Sequence, residues 1–127
     1  MTNSTQFGPL QWAIIGLTLI TAAIHIWFAS LWSDTIFYLN GFGYLGLLGL
    51  LYLPIAFLKP YRNLVRWVLI AYTAVTFFAW LFIGLGSPLA GPVDLGDAKT
   101  IVAYISKISE LALIVCLWLE WRRSRST

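Results

Sequence analysis

The sequence predicts an all-α integral membrane protein: a four-helix transmembrane bundle running up-down-up-down, with both termini on the cytoplasmic side. Three observations predict it. The 127-residue chain is 60% hydrophobic and only 10% charged, where a soluble domain carries about 25% charged residues. Its apolar residues gather in four stretches, 10–31, 36–58, 65–85 and 101–121. Each has about the 20 residues needed to cross a ~30 Å hydrocarbon layer at 1.5 Å per residue. The basic residues between stretches fall almost entirely on one side. Lys59, Arg62, Arg66, Arg122, Arg123 and Arg125 share the side of the termini, while Lys99 stands alone on the other with Asp34, Asp94 and Asp97. Lys and Arg near span ends mark the cytoplasmic face. The chain is therefore expected in the plasma membrane as a single domain, 1–127.

The first stretch follows a segment without charge, since 1–33 holds no Lys, Arg, Asp or Glu. Its apolar run is too long for a cleaved signal peptide, so it is expected to remain as a span. Membrane helices pack through small and polar residues. Thr18, Thr21, Ala22, His25 and Ala29 recur at steps of three and four, which places them on one stripe that should face protein. Ile20, Ile24 and Phe28 should point elsewhere. The second stretch carries Gly43, Gly46 and Gly49. Steps of three drift around the axis, so these form a broad, shallow groove for a neighbouring helix. Pro54 near the inner end predicts a kink. In the third stretch, Tyr72, Thr73, Thr76 and Ala79 give a modest polar face. The segment 86–100, rich in Gly and Pro, reads as irregular structure on the outer side.

Aromatic residues fit the two boundaries: Trp67, Trp118 and Trp121 on the cytoplasmic side, Trp32, Phe37 and Tyr38 on the outer. Trp27 and Trp80 lie deeper and should face lipid or a partner. The net charge of +3 reflects topology. The tail Arg122-Arg123-Ser124-Arg125 reads as an anchor, and nothing resembles a nucleic-acid-binding arm. Cys116, the single cysteine, reads as a small apolar residue deep in the fourth span. There is no HExxH, P-loop or GxSxG motif and no Cys/His cluster, so no catalytic or metal-binding set is singled out. The two halves do not repeat each other, which argues against an inverted-repeat transporter within one chain.

Three ionisable residues deeper in the apolar runs need explaining: His25, Lys107 and Glu110. At helical rise they lie about 9, 10 and 15 Å in from the outer boundary. Each charged residue within a span costs roughly 2.5–3.5 kcal/mol on insertion scales. Lys107 and Glu110 are three apart and can pair on one helical face. The plain reading is an ion pair that fixes packing, with His25 bonded to a neighbouring carbonyl or to Glu110. The sharper reading is a proton or substrate site opening outward, with Asn40, Tyr72, Thr76 and Tyr104 as polar lining.

Three functional classes follow. The reading that demands least chemistry is an accessory or structural subunit of a larger membrane complex, with lipid and other membrane subunits or a second copy as partners. The second is a small oligomeric transporter or proton- or ion-coupled channel built around Glu110, Lys107 and His25. The third is a haem- or (bacterio)chlorophyll-binding redox or pigment protein. Its single axial ligand would be His25, with the small Thr21 and Ala29 admitting the macrocycle. The sequence itself requires no cofactor.

Overall fold

The structure, a computed structural model, describes residues 8–84, 89 and 95–125. Among these residues it is all-helical. The helices are α1 (Pro9–Trp32), α2 (Thr35–Tyr52), a 3-10 turn α3 (Ala56–Tyr61), α4 (Arg62–Ile83) and α5 (Ala98–Arg125). Four helical segments are long and apolar enough to cross a membrane, the 3-10 turn running on into α4 as one of them. Most of the segment 86–100, including Asp94, lies outside the described residues.

Each boundary has a local cause. α1 starts at Pro9, a residue suited to the first helical position because it has no N–H to lose. The Gly8 N–H is taken by Gln11 Oε1 at 2.9 Å. α1 stops at Ser33, which takes a left-handed conformation (φ 50°, ψ 44°). Asp34 then caps α2 by accepting the Ile36 N–H at 2.8 Å, so only two residues separate antiparallel neighbours. α2 ends at Tyr52, two residues before Pro54. A proline disfavours helical backbone in the residue before it, and the chain runs extended at Leu53 and Ile55. Pro54 thus ends the helix where a kink and continuation to Leu58 were expected. Arg62 compensates by donating its Nε–H to the Leu51 carbonyl, which the end of the helix leaves without an intrahelical partner, at 3.1 Å. Asp97 precedes α5 and accepts the Lys99 N–H at 2.9 Å.

The helices form a square in chain order. α1 packs along both α2 and α5, α4 packs on α5, and of the four adjacent pairs α2 and α4 touch least. The core between them contains Ile14, Ala22, Tyr44, Leu51, Val65, Leu69, Leu113 and Leu117. One end of the square carries the α1–α2 turn and is called here the loop end. The other carries the start of α1 and the end of α5 and is called here the terminal end.

The stripe expected on α1 is buried throughout, at Thr18, Thr21, Ala22, His25 and Ala29. Phe28 departs from expectation. It is buried too, stacked on Trp32 at 4.8 Å, because the α1–α2 hairpin folds Phe37 over this edge of the helix. The glycine groove also differs. Only Gly43 sits against a neighbour, where a Cβ would collide with the Tyr72 hydroxyl of α4. Gly46 has nothing within 4 Å of a built Cβ, and Gly49 meets only Leu53 at 3.8 Å. The tightest helix approach uses Gly41 instead. Its Cβ would lie 2.6 Å from Ile26 Cγ1 and 3.0 Å from the Ala22 carbonyl oxygen of α1.

Paired substitutions separate the two kinds of glycine. Gly41→Ala should lower stability by about 1–3 kcal/mol, the usual cost of overpacking where backbone blocks relaxation. Gly46→Ala should raise it by about 0.5–1 kcal/mol by removing a helix-interior glycine. Unfolding in detergent micelles measures both, and equal effects would contradict the observed packing.

Candidate functional site

Glu110 projects from α5 into the centre of the bundle and is fully buried, at 0% exposure. One helical turn back, Lys107 reaches it with Nζ 2.9 Å from Oε1 and 3.1 Å from Oε2. From α1, Thr21 donates its hydroxyl to Oε2 at 2.7 Å. That hydroxyl has one hydrogen, so in the 2.9 Å contact between Thr21 and Ser106 Ser106 is the donor. Ser106 also stands 3.3 Å from Oε2, a second acceptor for the same hydrogen. The carboxylate is thus held by one cation and a two-hydroxyl relay from two helices, as a buried charge requires.

His25 completes the cluster. Its Nδ1 lies 2.8 Å from the Thr21 carbonyl oxygen. A carbonyl only accepts, so Nδ1 carries the hydrogen and this bond sets the tautomer. In the neutral ring, Nε2 is then bare and lies 3.9 Å from Glu110 Oε2. That distance is too long for a hydrogen bond and suits two acceptors. One added proton on Nε2 converts the pair into donor and acceptor. The three ionisable side chains singled out by depth therefore meet, and the arrangement can hold or release a proton without moving a helix.

A cavity of about 330 Å³ lies beside the cluster, inside the loop end of the bundle and lined by all four long helices. Its floor includes His25, Asn40, Thr76, Ser106 and Lys107. Phe28, Phe37 and Trp80 contribute flat apolar walls. Glu110 stays behind the floor, reached through Lys107, Ser106 and His25. Lys107 Nζ also sits 5.9 Å from the centre of a Trp80 ring, a cation–π distance. Asn40 donates Nδ2–H to Thr76 Oγ1 at 3.2 Å, and its buried Oδ1 has no hydrogen-bond partner.

Of the polar residues considered as lining, Asn40 and Thr76 border the cavity. Tyr72 and Tyr104 do not. Tyr72 donates its hydroxyl to the Asn40 carbonyl at 2.7 Å, and Tyr104 packs edge-on against Trp80 at 5.2 Å. Trp80 itself turns into the bundle, under Lys107, where contact with lipid or a partner was expected. Trp27 is 42% exposed.

The axial-ligand reading of His25 does not fit its surroundings. Nδ1 is engaged and Nε2 points at a carboxylate. Phe37 and Tyr44 rings each lie 5.9 Å from the imidazole. Thr21 is occupied by Ser106 and Glu110, and Ala29 is fully buried, so neither leaves a face open to a macrocycle. Among the described residues no group of His, Cys, Asp and Glu could hold a metal ion.

A second buried network lies near the termini and was not expected. Glu120 of α5 accepts from Arg66 Nε of α4 at 2.7 Å, Tyr52 Oη of α2 at 2.6 Å and Gln11 Nε2 of α1 at 3.0 Å. Arg66 Nη1 also donates to Asn63 Oδ1. One carboxylate thereby ties all four long helices. Arg66 had been read only as a topology charge. The available signal was Glu120 itself, an acid inside the fourth apolar stretch.

Comparison with models of protein families, with curated protein sequences and with solved structures finds no match.

Proposed function

We propose that this chain is a small proton-linked membrane carrier. The cavity at the loop end receives a small ligand, and the His25–Lys107–Glu110 cluster exchanges a proton as it binds. The observation that carries this reading is that two of the side chains touching the buried carboxylate also form the cavity floor. An ion pair serving packing alone has no need of an open space on its exposed flank, and a helix bundle interior is a common place for a ligand site. The charge asymmetry between the two ends supports a loop end facing outward and termini facing the cytoplasm. The plasma membrane is the corresponding location.

Native mass spectrometry of the full chain, purified in mild detergent, tests the proposal. The wild-type protein should retain a small molecule. Ala79→Trp, which fills the cavity rim from an exposed position, should lose it while keeping its helical content and melting temperature. A ligand-free wild-type protein that co-purifies in fixed ratio with another membrane polypeptide would reject the carrier and favour an accessory subunit.

A further inference from the structure

The cavity has a side opening as well as an end. Beyond the Arg62–Leu51 bond at the far end, the bonds and ring contacts between α2 and α4 include the Tyr44–Tyr72 edge contact at 4.8 Å, the Tyr72 bond to the Asn40 carbonyl and the Asn40–Thr76 bond. In this antiparallel register they reach the Asn40–Thr76 level and leave the next stretch toward the loop end unjoined by them. There Ile36 and Ile83 flank the seam, 75% and 83% exposed. Between them Ala79 is both exposed on the outside of the bundle and part of the cavity wall. A small residue at that position leaves a gap where a larger one would close it. From Thr35 to Asn40 the gap spans about 7 Å of helix. Ile36, Ala79 and Ile83 make this side of the rim apolar, facing the direction in which hydrocarbon would lie, while Asp34 borders the cavity at the α1–α2 turn.

The chemistry inside narrows the occupant. Lys107 has three N–H donors and directs two at Glu110, leaving one for a ligand oxygen. The walls are flat rings, and a volume of about 330 Å³ suits a single substituted ring. The Lys107–Glu110 pair is neutral overall, so the floor does not call for a charged head.

We propose that the ligand is a bilayer-borne amphiphile with an oxygen-bearing ring as its head and a hydrocarbon tail, and that it enters sideways between α2 and α4. The head accepts a hydrogen bond from Lys107, and the tail remains in the seam beside Ala79. This rests on the carrier reading for the site and adds the ligand class and its route.

The test uses the full chain in phosphatidylcholine nanodiscs and two benzoquinone probes sharing one ring, one with a decyl tail and one without. Binding is read as saturable quenching of tryptophan fluorescence, with photo-crosslinking of an azido derivative to locate the ring. The tailed probe should bind at least tenfold more tightly at equal concentration in the membrane. It should crosslink to α2 or α4 beside the seam and weaken at least tenfold in Ala79→Trp. The double variant Lys107→Met/Glu110→Gln should also bind at least tenfold more weakly while keeping its fold. Equal binding of both probes, lost alike in Ala79→Trp and in the double variant, would overturn the role of the tail and lateral entry and leave the carrier reading intact. No saturable binding of either probe would overturn the ligand class. The carrier reading is then judged separately by the molecule retained in native mass spectrometry.

Discussion

Lys107→Met should destabilise the bundle by about 3–5 kcal/mol, the cost of leaving one member of a buried ion pair uncompensated. Glu110 is fully buried, and Lys107 is its one cationic partner within 3.5 Å. Thr21 and Ser106 would still donate to Oε2, but two hydroxyls do not replace a charge. The companion variant Lys107→Met/Glu110→Gln removes both charges and keeps an amide oxygen for Thr21. It should recover most of the loss, because replacing a buried pair with neutral groups of similar size is often close to neutral. Unfolding in mixed micelles, run as a double-mutant cycle, measures the coupling directly. A single-variant loss below about 1 kcal/mol would place the pair among solvent-screened surface bridges and contradict the observed burial.

The second large effect is expected at the other end. Arg66→Leu should also cost about 3–5 kcal/mol, since Glu120 would lose its buried guanidinium partner and keep the neutral donors Tyr52 and Gln11. Arg66→Lys should restore part of this and no more. The guanidinium serves Glu120 through Nε and Asn63 through Nη1, a fork that a single ammonium cannot reproduce. Arg122→Ala provides the contrast. Arg122 is exposed and lies over Trp118 at 4.9 Å, so its removal should cost no more than about 0.5–1 kcal/mol. Equal losses for Arg66→Leu and Arg122→Ala would mean that the basic residues near the termini act only as topology signals.

The four helices were legible because their cause is local: twenty apolar residues in a row, punctuated by charge. The stripe on α1 was legible for the same reason, as small and polar residues recurred at helical spacing. Lys107 and Glu110 could be paired from their spacing alone. Other features depended on how helices are turned against each other. Thr21 was placed on the stripe without a partner, and it becomes a donor to Glu110 only when α1 and α5 face. Gly41 does not differ from Gly46 by any property of the sequence. The side of α2 that meets α1 decides which is tight. Arg66 and Glu120 were hidden by a correct rule, since charges near span ends do report topology, and that explanation left no reason to seek a partner across the bundle. The cavity was invisible because a void has no residue of its own.

The two polar layers are separated by a dry one. Glu110 and Glu120 are ten residues apart, about 15 Å along α5, and Ile14, Leu69, Leu113 and Leu117 fill the interior between them. Thr18 and Thr73 in the same stretch give their hydroxyl hydrogens back to Ile14 and Leu69 carbonyls, each at 2.7 Å, so neither is a stepping stone for a proton. Set across a bilayer, this plug would be an insulator in series with the polar clusters on either side of it, and much of an applied voltage would fall over it. A full crossing is worth about 2.3 kcal/mol per elementary charge at 100 mV. A proton arriving at Glu110 from the loop end would feel only the fraction of that field outside the plug.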